Sequence, residues 1–537
     1  MLPENPQVLI VGGGPCGLML ANELGRRGVS ALVLDQKPGT AFNPQANATQ
    51  ARTMEHYRRL GFADEIRALG MPEDFPTDIA YFTRFATHEL ARFRLPSARE
   101  ARKLITTLSG SWSAAELPHR VAQKFVEQVL RRHAERVATV HYGWRVTSVT
   151  DHGNHVEAQA EPVDGGKPVT LRCEYLVGAD GARSVVRQAM GWRYSGETGV
   201  VRDFFGGRMF AVYCRIPDFY REIRHAPAWM NVGFNPERRF FMAAIDGRVE
   251  FAYHTQLKPH EEQAALTEEH AIALAHQGIG VPLKIEVLSL DTWTAGYSLV
   301  AERFASGRVF IGGDAAHLFT PTGGLGYNTA VEDAVNLGWK LAAVLKGRAA
   351  PRLLESYEIE RKPLAMRNTA YAKRFADSLG NFQPVPHIED ETPQGAAARK
   401  QAGEYLEAHG RAEFNIPGIT FGGRYDGSPA IVADGTSPPP EAANTYVPTA
   451  CPGGRPPHAW LPDGRSLYDA FGFEWTLLCL NHASPPIAPD VKVVHLQNDA
   501  LRDAYQADYA LIRPDQIVAW RGNEPPAALN ALEKLRG

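Results

Sequence analysis

The N-terminal segment combines two short apolar runs with a glycine-rich turn between them. Residues 7–11 form an apolar run with strand character, and the glycine-rich segment 12–17 follows it directly. Apolar residues then recur at nearly helical spacing over 18–24, and a second apolar run at 31–34 ends in Asp35. A strand, a helix and a strand of these lengths predict a βαβ unit at the start of a parallel sheet.

Two later segments also run from a predicted strand into a tight turn. The first leads from 175–178 into Asp180-Gly181, and the second leads from 309–311 into Gly313-Asp314. After the second turn, a loop at 318–325 precedes an apolar stripe at helical spacing that ends near Gly347. This pattern predicts a long amphipathic helix whose N-terminus follows the loop.

The region between these two turns, and the end of the chain, show different patterns. Four runs with strand character, separated by turn residues, predict a mainly antiparallel sheet: 204–216, 228–234, 239–245 and 249–257. A proline-rich linker is predicted at 384–393 and a helix at 394–409. A last α/β unit is predicted from apolar runs at 475–480, 491–496, 509–512 and 517–520 and from a terminal helix at 527–535.

Composition narrows the class of protein. The 537 residues are enough for three or four domains. With 57 basic and 60 acidic residues, the net charge of −3 favours neither nucleic acid nor an anionic membrane as a partner. No apolar run approaches the roughly 18 residues that span a bilayer, and no secretion signal is recognised. The five cysteines are scattered without a CxxC motif, so we expect no disulfide framework, no metal site and a cytoplasmic location.

The glycine-rich turn is of the GxGxxG type, and its chemistry requires each glycine. Gly12 permits a tight turn, Gly14 lets a pyrophosphate approach the backbone, and Gly17 allows the helix to pack closely on the sheet. Asp35 at the end of the second strand suits a hydrogen bond to ribose hydroxyls. The segment therefore predicts dinucleotide binding, with FAD and NAD both open at this point.

Three ordered motifs, GxGxxG, Asp180-Gly181 and Gly313-Asp314, define a resemblance to a known family. Supporting stretches lie at 50–55, 121–123, 333–341 and 356–363. Over residues 7–370 the chain resembles the single-component flavoprotein aromatic hydroxylases, the family of p-hydroxybenzoate hydroxylase and phenol hydroxylase. Gln45 and the last α/β unit are similar to the phenol hydroxylase branch, which ends in a thioredoxin-like domain.

The resemblance implies an α/β fold: a Rossmann-like FAD-binding domain, an inserted and mainly antiparallel substrate domain, and a thioredoxin-like domain that lacks CxxC and has a structural or dimer-supporting role. The implied boundaries are 1–190 and 296–380 for the FAD-binding domain, 191–295 for the substrate domain, 381–426 for a linker and helix, and 427–537 for the thioredoxin-like domain. Residues 76–105 are open to assignment to the substrate domain.

The same resemblance implies a non-covalent FAD. Asp314 is expected to hold the ribityl chain, and the amides around Tyr327 and Asn328 are expected to face the flavin, where a helix N-terminus stabilises negative charge. The residues expected to bind the cofactor are Gly12, Gly14, Gly17, Asp35, Gln45, Arg52, Gln123, Asp180, Asp314, Gly324, Gly326, Tyr327 and Asn328. The alternatives are a helix cap for Asp314 and a turn residue for Asp180.

The implied reaction uses NAD(P)H and O₂ to hydroxylate a phenolic or related ring through a flavin C4a-hydroperoxide. Candidate catalytic groups are Asn47, Tyr213, His254 and the Pro321 carbonyl. The branch has an Asp where this chain has Asn47, and since Asn cannot act as a general base, the proton acceptor stays open. His317 is either a catalytic group or a histidine with an ordinary structural partner.

Several functions stay open beside this one. The alternatives are an FAD-dependent epoxidase or Baeyer–Villiger enzyme acting on a polycyclic aromatic, a flavin oxidase or dehydrogenase, and a non-catalytic flavin-binding protein. With one dinucleotide fingerprint, NAD(P)H is expected to bind only transiently. The aromatic substrate, the choice of NADH or NADPH, and a homodimer are left open by the sequence.

Overall fold

The structure is a computed structural model that describes residues 2, 5–200, 202–261, 266–480 and 488–536. The helices are α1 (Pro15–Gly25), α2 (Ala51–Arg59), α3 (Ala63–Arg67), α4 (Ala98–Leu104), α5 (Gln123–Ala134), α6 (Val185–Ala189), α7 (Phe219–Glu222), α8 (Glu268–Ile279), α9 (Leu325–Leu345), α10 (Ser356–Gly380), α11 (Pro393–Phe414), α12 (Pro417–Phe421), α13 (Leu467–Ala470), α14 (Asp499–Tyr505) and α15 (Pro525–Arg536).

The strands are β1 (Val8–Val11), β2 (Ala31–Asp35), β3 (Ile79–Phe82), β4 (Glu89–Phe93), β5 (Thr139–Tyr142), β6 (Trp144–Asp151), β7 (Val156–Pro162), β8 (Val169–Cys173), β9 (Tyr175–Gly178), β10 (Tyr194–Glu197), β11 (Arg208–Arg215), β12 (Met230–Phe234), β13 (Arg239–Ala244), β14 (Glu250–Gln256), β15 (Glu286–Thr294), β16 (Ser298–Ala301), β17 (Ala305–Ser306), β18 (Val309–Ile311), β19 (His317–Leu318), β20 (Thr476–Cys479), β21 (Lys492–His495), β22 (Tyr509–Ile512) and β23 (Val518–Gly522).

The first sheet has the order β17-β18-β9-β1-β2-β5, and all its neighbouring strands are parallel except β17 and β18. Its central strands are buried except for Asp35 at the end of β2, as expected for a parallel sheet with both faces covered. Strands β6, β7 and β8 pack into the same core. The carboxyl ends of β1, β2, β9 and β18 meet at one edge. The segments that carry the sequence motifs begin at this edge, where α/β folds bind their ligands.

A second, seven-stranded sheet has the order β15-β11-β14-β13-β12-β3-β4 and is antiparallel except between β3 and β12. Helix α8 covers one face of this sheet through Leu274 and Ile279. The opposite face carries Tyr213 and His254 and turns toward the first sheet. Both α8 and β15 lie outside the strand pattern that the sequence predicted.

Helix α11 is longer than its sequence prediction and packs against the seven-stranded sheet. Gly403 of α11 lies so close to β4 that an added Cβ would be 2.2 Å from the Leu90 carbonyl oxygen. Further along the helix, a Cβ at Gly410 would lie 3.0 Å from the Tyr81 hydroxyl oxygen. The C-terminal end of α11 therefore reaches the face of the sheet that carries Tyr81.

The C-terminal unit contains a four-stranded sheet of order β21-β20-β22-β23, in which only β20 and β21 are parallel. The four predicted apolar runs form these four strands, and α14 lies between β21 and β22. Helix α15 contributes Ala528 and Leu532 to the core under the sheet. In the described part of the chain, no helix has both the length and the apolar character needed to cross a bilayer.

Candidate active site

A single cavity connects the carboxyl edge of the parallel sheet with the seven-stranded sheet. It encloses about 2830 Å³, including its open mouth. One end is lined by Gly12, Gly14, Asp35, Asp180 and Asp314, all of which follow parallel strands. The other end is lined mainly by aromatic side chains from the second sheet and from α11. The predicted cofactor residues and the predicted catalytic residues therefore meet in one space.

The three glycines of the first motif have distinct surroundings. Gly12 has φ +114°, and an added Cβ would lie 2.1 Å from the Ala179 carbonyl oxygen. A Cβ at Gly17 would lie 1.9 Å from the Gly12 carbonyl oxygen, so only glycine lets α1 approach β1 this closely. At Gly14 an added Cβ would meet nothing within 4 Å, because this residue faces the cavity. The arrangement leaves space for a pyrophosphate at the N-terminus of α1.

Three of the carboxylates that line the cofactor end follow parallel strands. Asp35 accepts hydrogen bonds from the Gly13 amide at 2.6 Å and the Lys37 amide at 2.7 Å, which fixes its orientation. Asp180 accepts one from the Val185 amide through Oδ2 at 2.7 Å, while its buried Oδ1 has no partner among the described residues. The Asp314 carboxylate faces the cavity and makes no hydrogen bond within the described chain. Burial raises the pKa of Asp180 and of Asp314.

These acceptors fit a hydroxyl-rich dinucleotide. A buried carboxylate oxygen without a donor is costly, and a ribose or ribityl hydroxyl supplies that donor. The open backbone at Gly14 accommodates a pyrophosphate, and the aromatic walls further along accommodate a ring system. The residues present therefore fit FAD.

The segment before α9 lies between the two ends of the cavity. Gly324 has φ +62°, and an added Cβ would lie 3.1 Å from Ala48 Cβ, so glycine is required for both reasons. Gly326 and Tyr327 line the cavity, as does Pro321. The Asn328 side chain instead accepts a hydrogen bond from the Gln50 amide at 2.8 Å and donates to the Ala48 carbonyl at 3.0 Å. The Asn328 side chain therefore holds this segment against residues 48–50 and does not line the cavity.

Gln45 and Gln123 both line the cavity near the cofactor end. Gln123 donates from Nε2 to Glu127 at 2.7 Å, and its backbone amide donates to the Ala46 carbonyl at 2.7 Å. The second bond ties the start of α5 to the segment that contains Gln45. The resemblance places both glutamines near the cofactor, and we retain them as proposed ligands.

Arg52 requires a correction. Its guanidinium is buried and donates to the Asp515 carbonyl at 2.8 Å and the Gln516 carbonyl at 3.0 Å. Arg52 does not line the cavity, because α2 directs it toward the C-terminal domain. We therefore no longer include it among the cofactor ligands.

His317 has a structural partner. Its Nε2 lies 2.7 Å from Oδ2 of Asp333, and both side chains are completely buried. Asp333 in turn accepts a hydrogen bond from Arg361 Nε at 2.8 Å. Of the two interpretations from the sequence, the position of His317 therefore fits a histidine with an ordinary structural partner.

All four candidate catalytic residues line the cavity. Lys124 donates to the Tyr213 hydroxyl at 2.6 Å, and Tyr213 donates to Glu250. Burial and the bond to Glu250 raise the pKa of Tyr213, so this phenol stays neutral. Burial lowers the pKa of His254 to about 4. A neutral His254 accepts a hydrogen bond from Trp293 Nε1 at 3.2 Å and stacks on Phe241.

Asn47 has a buried Oδ1 with no hydrogen-bond partner among the described residues. Pro321 begins the short turn over Thr322–Gly324 that precedes α9. Neither group can take a proton at neutral pH, because an amide oxygen and a backbone carbonyl are not basic enough. Both can accept a hydrogen bond from a substrate hydroxyl.

Sequence reasoning missed several residues of the substrate end. These are Tyr81, Phe205, Trp229, Trp293, Glu413 and Phe414. Tyr81 lies on β3, which reaches the site by pairing with a strand about 150 residues later in the chain. Glu413 lies at the end of α11, beyond the predicted end of that helix. Local patterns carry no signal for either placement.

The fold and the site together define a flavin-dependent enzyme, and comparison with known proteins agrees. Residues 5–372 match the FAD binding domain family, and residues 449–536 match the family described as aromatic-ring hydroxylase, C-terminal. The chain belongs to the family of FAD-dependent aromatic-ring monooxygenases. The predicted family, fold class and cofactor are therefore confirmed.

Individual relatives span nearly the whole chain. The FAD-dependent monooxygenase apdD of Emericella nidulans is 30% identical over 96% of this chain and 87% of its own length. Phenol 2-monooxygenase of Pseudomonas sp. is 28% identical over 97% of this chain and 91% of its own. The solved structure of chromopyrrolic acid-soaked RebC with bound 7-carboxy-K252c superimposes with a TM-score of 0.87 at 30% identity, covering 100% of both chains.

Proposed function

We propose that this protein hydroxylates an uncharged phenolic ring with NAD(P)H and O₂, using FAD held at the parallel-sheet end of the cavity. The observation that carries the proposal is the continuity of that cavity, which joins the glycine-lined sheet edge to an aromatic pocket. The similarity to phenol 2-monooxygenase supports a phenol as the substrate class.

The cofactor would be held by the backbone around Gly14, by Asp35 at the adenosine ribose and by Asp314 at the ribityl chain. When bound, FAD takes electrons from NAD(P)H and activates O₂, chemistry that no protein side chain supplies. The protein supplies position and a water-poor pocket. Trp229, Phe241 and Trp293 form walls that orient an aromatic ring and exclude water.

The substrate hydroxyl is the group that the pocket is proposed to bind by hydrogen bonds. Asn47 Oδ1, which has no partner among the described residues, favours a group that donates a hydrogen bond. Neutral His254 accepts from Trp293 at Nδ1, so its Nε2 carries the proton and donates to an oxygen. A phenol with a pKa near 10 costs about 4 kcal/mol to ionise at pH 7. Since ionisation makes the ring more reactive toward an electrophilic oxygen, the pocket must offset that cost with hydrogen bonds or a base.

A panel of phenols tests the proposal. FAD-loaded protein is mixed with NADH or NADPH, each phenol is added, and both coenzyme oxidation and ring hydroxylation are followed by chromatography. We expect at least one uncharged phenol to accelerate coenzyme oxidation and to yield hydroxylated product. Acceleration of coenzyme oxidation with hydrogen peroxide as the only oxygen product, for every phenol, would contradict hydroxylation and favour an oxidase.

A further inference from the structure

A buried carboxylate lies at the substrate end of the cavity. Glu413 is 5% exposed, lines the cavity and belongs to the last turn of α11. Its Oε1 accepts a hydrogen bond from the Gly323 amide at 2.8 Å, and its Oε2 lies 2.7 Å from His409 Nε2. The first contact holds the carboxylate against the loop that leads into α9. The second places a histidine behind it.

A tyrosine hydroxyl lies in the same part of the cavity. Tyr81 is 1% exposed, lines the cavity, and its hydroxyl has no hydrogen-bond partner among the described residues. Burial, together with the charge of Glu413, raises the pKa of Tyr81 and keeps it neutral. An unpaired buried hydroxyl beside an acceptor carboxylate indicates a place for a polar group of a ligand.

Polar contacts hold the histidine behind Glu413. His409 Nδ1 lies 3.0 Å from Ser378 Oγ, and Ser378 Oγ lies 3.2 Å from the Tyr405 hydroxyl. Tyr405 is 43% exposed. His409 Nε2 makes no hydrogen bond within the described residues despite its distance to Glu413, so these contacts hold the histidine in place and do not form a hydrogen-bonded chain from Glu413 to the surface.

We propose that Glu413 takes the proton of the substrate hydroxyl and that Tyr81 donates a hydrogen bond to the same oxygen. This inference rests on the proposed function and identifies the proton acceptor that Asn47 cannot be. The O–H bond of the phenol breaks, its electron pair stays on oxygen, and the proton forms an O–H bond on Glu413.

The return step restores the carboxylate. The proton moves back from Glu413 to the same oxygen once the new C–O bond has formed and the ring carbon has lost its own proton to water. Glu413 therefore ends as the carboxylate, and its proton transfers involve no change in oxidation state. Proton transfer by a positioned side chain of this kind is worth about 100-fold or more in rate.

The charges around this end also define the substrate class. Glu413 and Asp291 are the charged side chains that line it, and the lining cations of the described chain, Lys37, Arg145 and Arg183, lie with the cofactor residues. An anionic substrate would meet two lining carboxylates, while the cations Lys124 and Arg120 lie behind the lining side chains of Tyr213 and Trp229. The site therefore takes an uncharged aromatic alcohol and rejects an aromatic carboxylate.

The first test is equilibrium binding of three probes to the FAD-loaded protein: 2-naphthol, 2-methoxynaphthalene and 2-naphthoate. We expect 2-naphthol to bind roughly tenfold more tightly than the other two, and Tyr81→Phe to reduce this preference several-fold. Equal affinity for 2-naphthol and its methyl ether in the wild-type protein would overturn the inference, whether or not any phenol is turned over.

The second test measures the same three affinities in Glu413→Gln. The glutamine amide oxygen still accepts a hydrogen bond but the side chain is uncharged, so 2-naphthol should bind with little change while 2-naphthoate should bind several-fold more tightly than it does to the wild type. An unchanged affinity for 2-naphthoate would refute the position of Glu413 beside the bound ring.

The third test uses turnover with a matched control. In Glu413→Gln the amide oxygen still accepts from Gly323, so the fold is retained, while kcat for ring hydroxylation should fall about 100-fold and KM should change little. Glu407→Gln alters an exposed glutamate on the same helix, paired with Arg411, and should behave as wild type. A kcat in Glu413→Gln close to that of the wild type would count against the proposal.

The proposed function and this inference fail in different ways. If no phenol is hydroxylated by the wild-type protein, the proposed function fails, and the binding measurements on Tyr81→Phe and Glu413→Gln still decide whether these residues face the ring. If phenols are hydroxylated equally well by the wild type and by Glu413→Gln, the function stands and the inference fails.

Discussion

At the scale of single residues, one motif contains glycines with contrasting environments. Gly17 is enclosed, since an added Cβ would lie 1.9 Å from the Gly12 carbonyl oxygen. Gly14 has open space around it and a negative φ of −84°, which alanine adopts without strain. The sequence predicted both roles, because a GxGxxG turn after a strand constrains backbone geometry locally.

The different surroundings of Gly14 and Gly17 predict a defect in FAD binding for one alanine variant and a defect in stability for the other. Gly14→Ala should fold with a melting temperature close to wild type and bind FAD at least about tenfold more weakly, because its methyl group enters the proposed pyrophosphate space. Gly17→Ala should lose about 1–3 kcal/mol of unfolding free energy through the clash between α1 and β1. Thermal melts and FAD fluorescence titrations measure both. Wild-type FAD affinity in Gly14→Ala would place the pyrophosphate elsewhere.

Asp314 offers a second residue-scale prediction. Its carboxylate faces the cavity without a partner in the described chain, so a ribityl hydroxyl is its proposed donor. Asp314→Asn should weaken FAD binding by about 10- to 100-fold, the range for a hydrogen bond to a charged group. The exposed Asp463 supplies the control, since Asp463→Asn should leave FAD affinity unchanged. Equal FAD affinities in the two variants would argue against Asp314 as a ligand.

Glu413 and Tyr81 show where residue-scale prediction stops. Each is an ordinary residue in its local pattern, one near a helix end and one in a short strand. Their proximity depends on α11 crossing the seven-stranded sheet, a contact between parts of the chain more than 300 residues apart. Arg52 shows the converse, since it lies in a stretch similar to the family and yet faces the C-terminal domain.

At the scale of elements, the pairing of strands that are close in the sequence could be predicted, and the pairing of strands that are distant in the sequence could not. The βαβ unit and the hairpin-like runs from β12 to β14 follow from patterns within a few residues of each other. The parallel pairing of β3 with β12 joins segments that are distant in the sequence, which a local pattern does not encode. The connection before α2 is likewise held from a distance, by paired backbone hydrogen bonds of 2.9 Å between Thr49 and His119.

This connection makes the stability depend on pH. Burial lowers the pKa of His119 to about 3, while an unfolded histidine has a pKa near 6.5. Between these values the unfolded chain binds more protons, so the unfolding free energy rises with pH and becomes level above about 6.5. From pH 7 to pH 5 the contribution of His119 falls by about 2 kcal/mol.

Urea unfolding at pH 5 and pH 7 checks this dependence. His119→Gln should show a pH difference about 2 kcal/mol smaller than the wild type, because the titrating group is gone. The remaining dependence includes His458, whose pKa burial also lowers to about 3. The same pH difference in both proteins would show that His119 is not held neutral in the fold.

At the scale of the whole molecule, buried charges join the C-terminal domain to the FAD-binding domain. Arg513 donates to both oxygens of Glu360 at 2.7 and 2.8 Å, and Lys340 of α9 donates to the same carboxylate at 2.6 Å. Arg455 donates to Glu55 of α2 at 2.6 Å. Each of these side chains is almost completely buried. The C-terminal domain is therefore joined by buried ion pairs to α2, α9 and α10, and α9 begins at the cavity.

Removing one partner from this network should be costly. Arg513→Met leaves Glu360 with fewer donors in a buried site, and we expect a loss of about 3–5 kcal/mol. Arg465→Met removes an exposed pair with Asp463 and should cost less than about 1 kcal/mol. Chemical denaturation of both variants measures the difference. A loss below 1 kcal/mol in Arg513→Met would show that the two domains are stabilised independently.

The most direct test of the central claim is the fate of molecular oxygen. FAD-loaded protein is supplied with NAD(P)H, 2-naphthol and ¹⁸O₂, and the products are examined by mass spectrometry. If one cavity holds both the flavin and the aromatic ring, the product carries one ¹⁸O atom on a ring carbon and the second atom appears in water. Recovery of the label only in hydrogen peroxide, with 2-naphthol unchanged, would contradict the account.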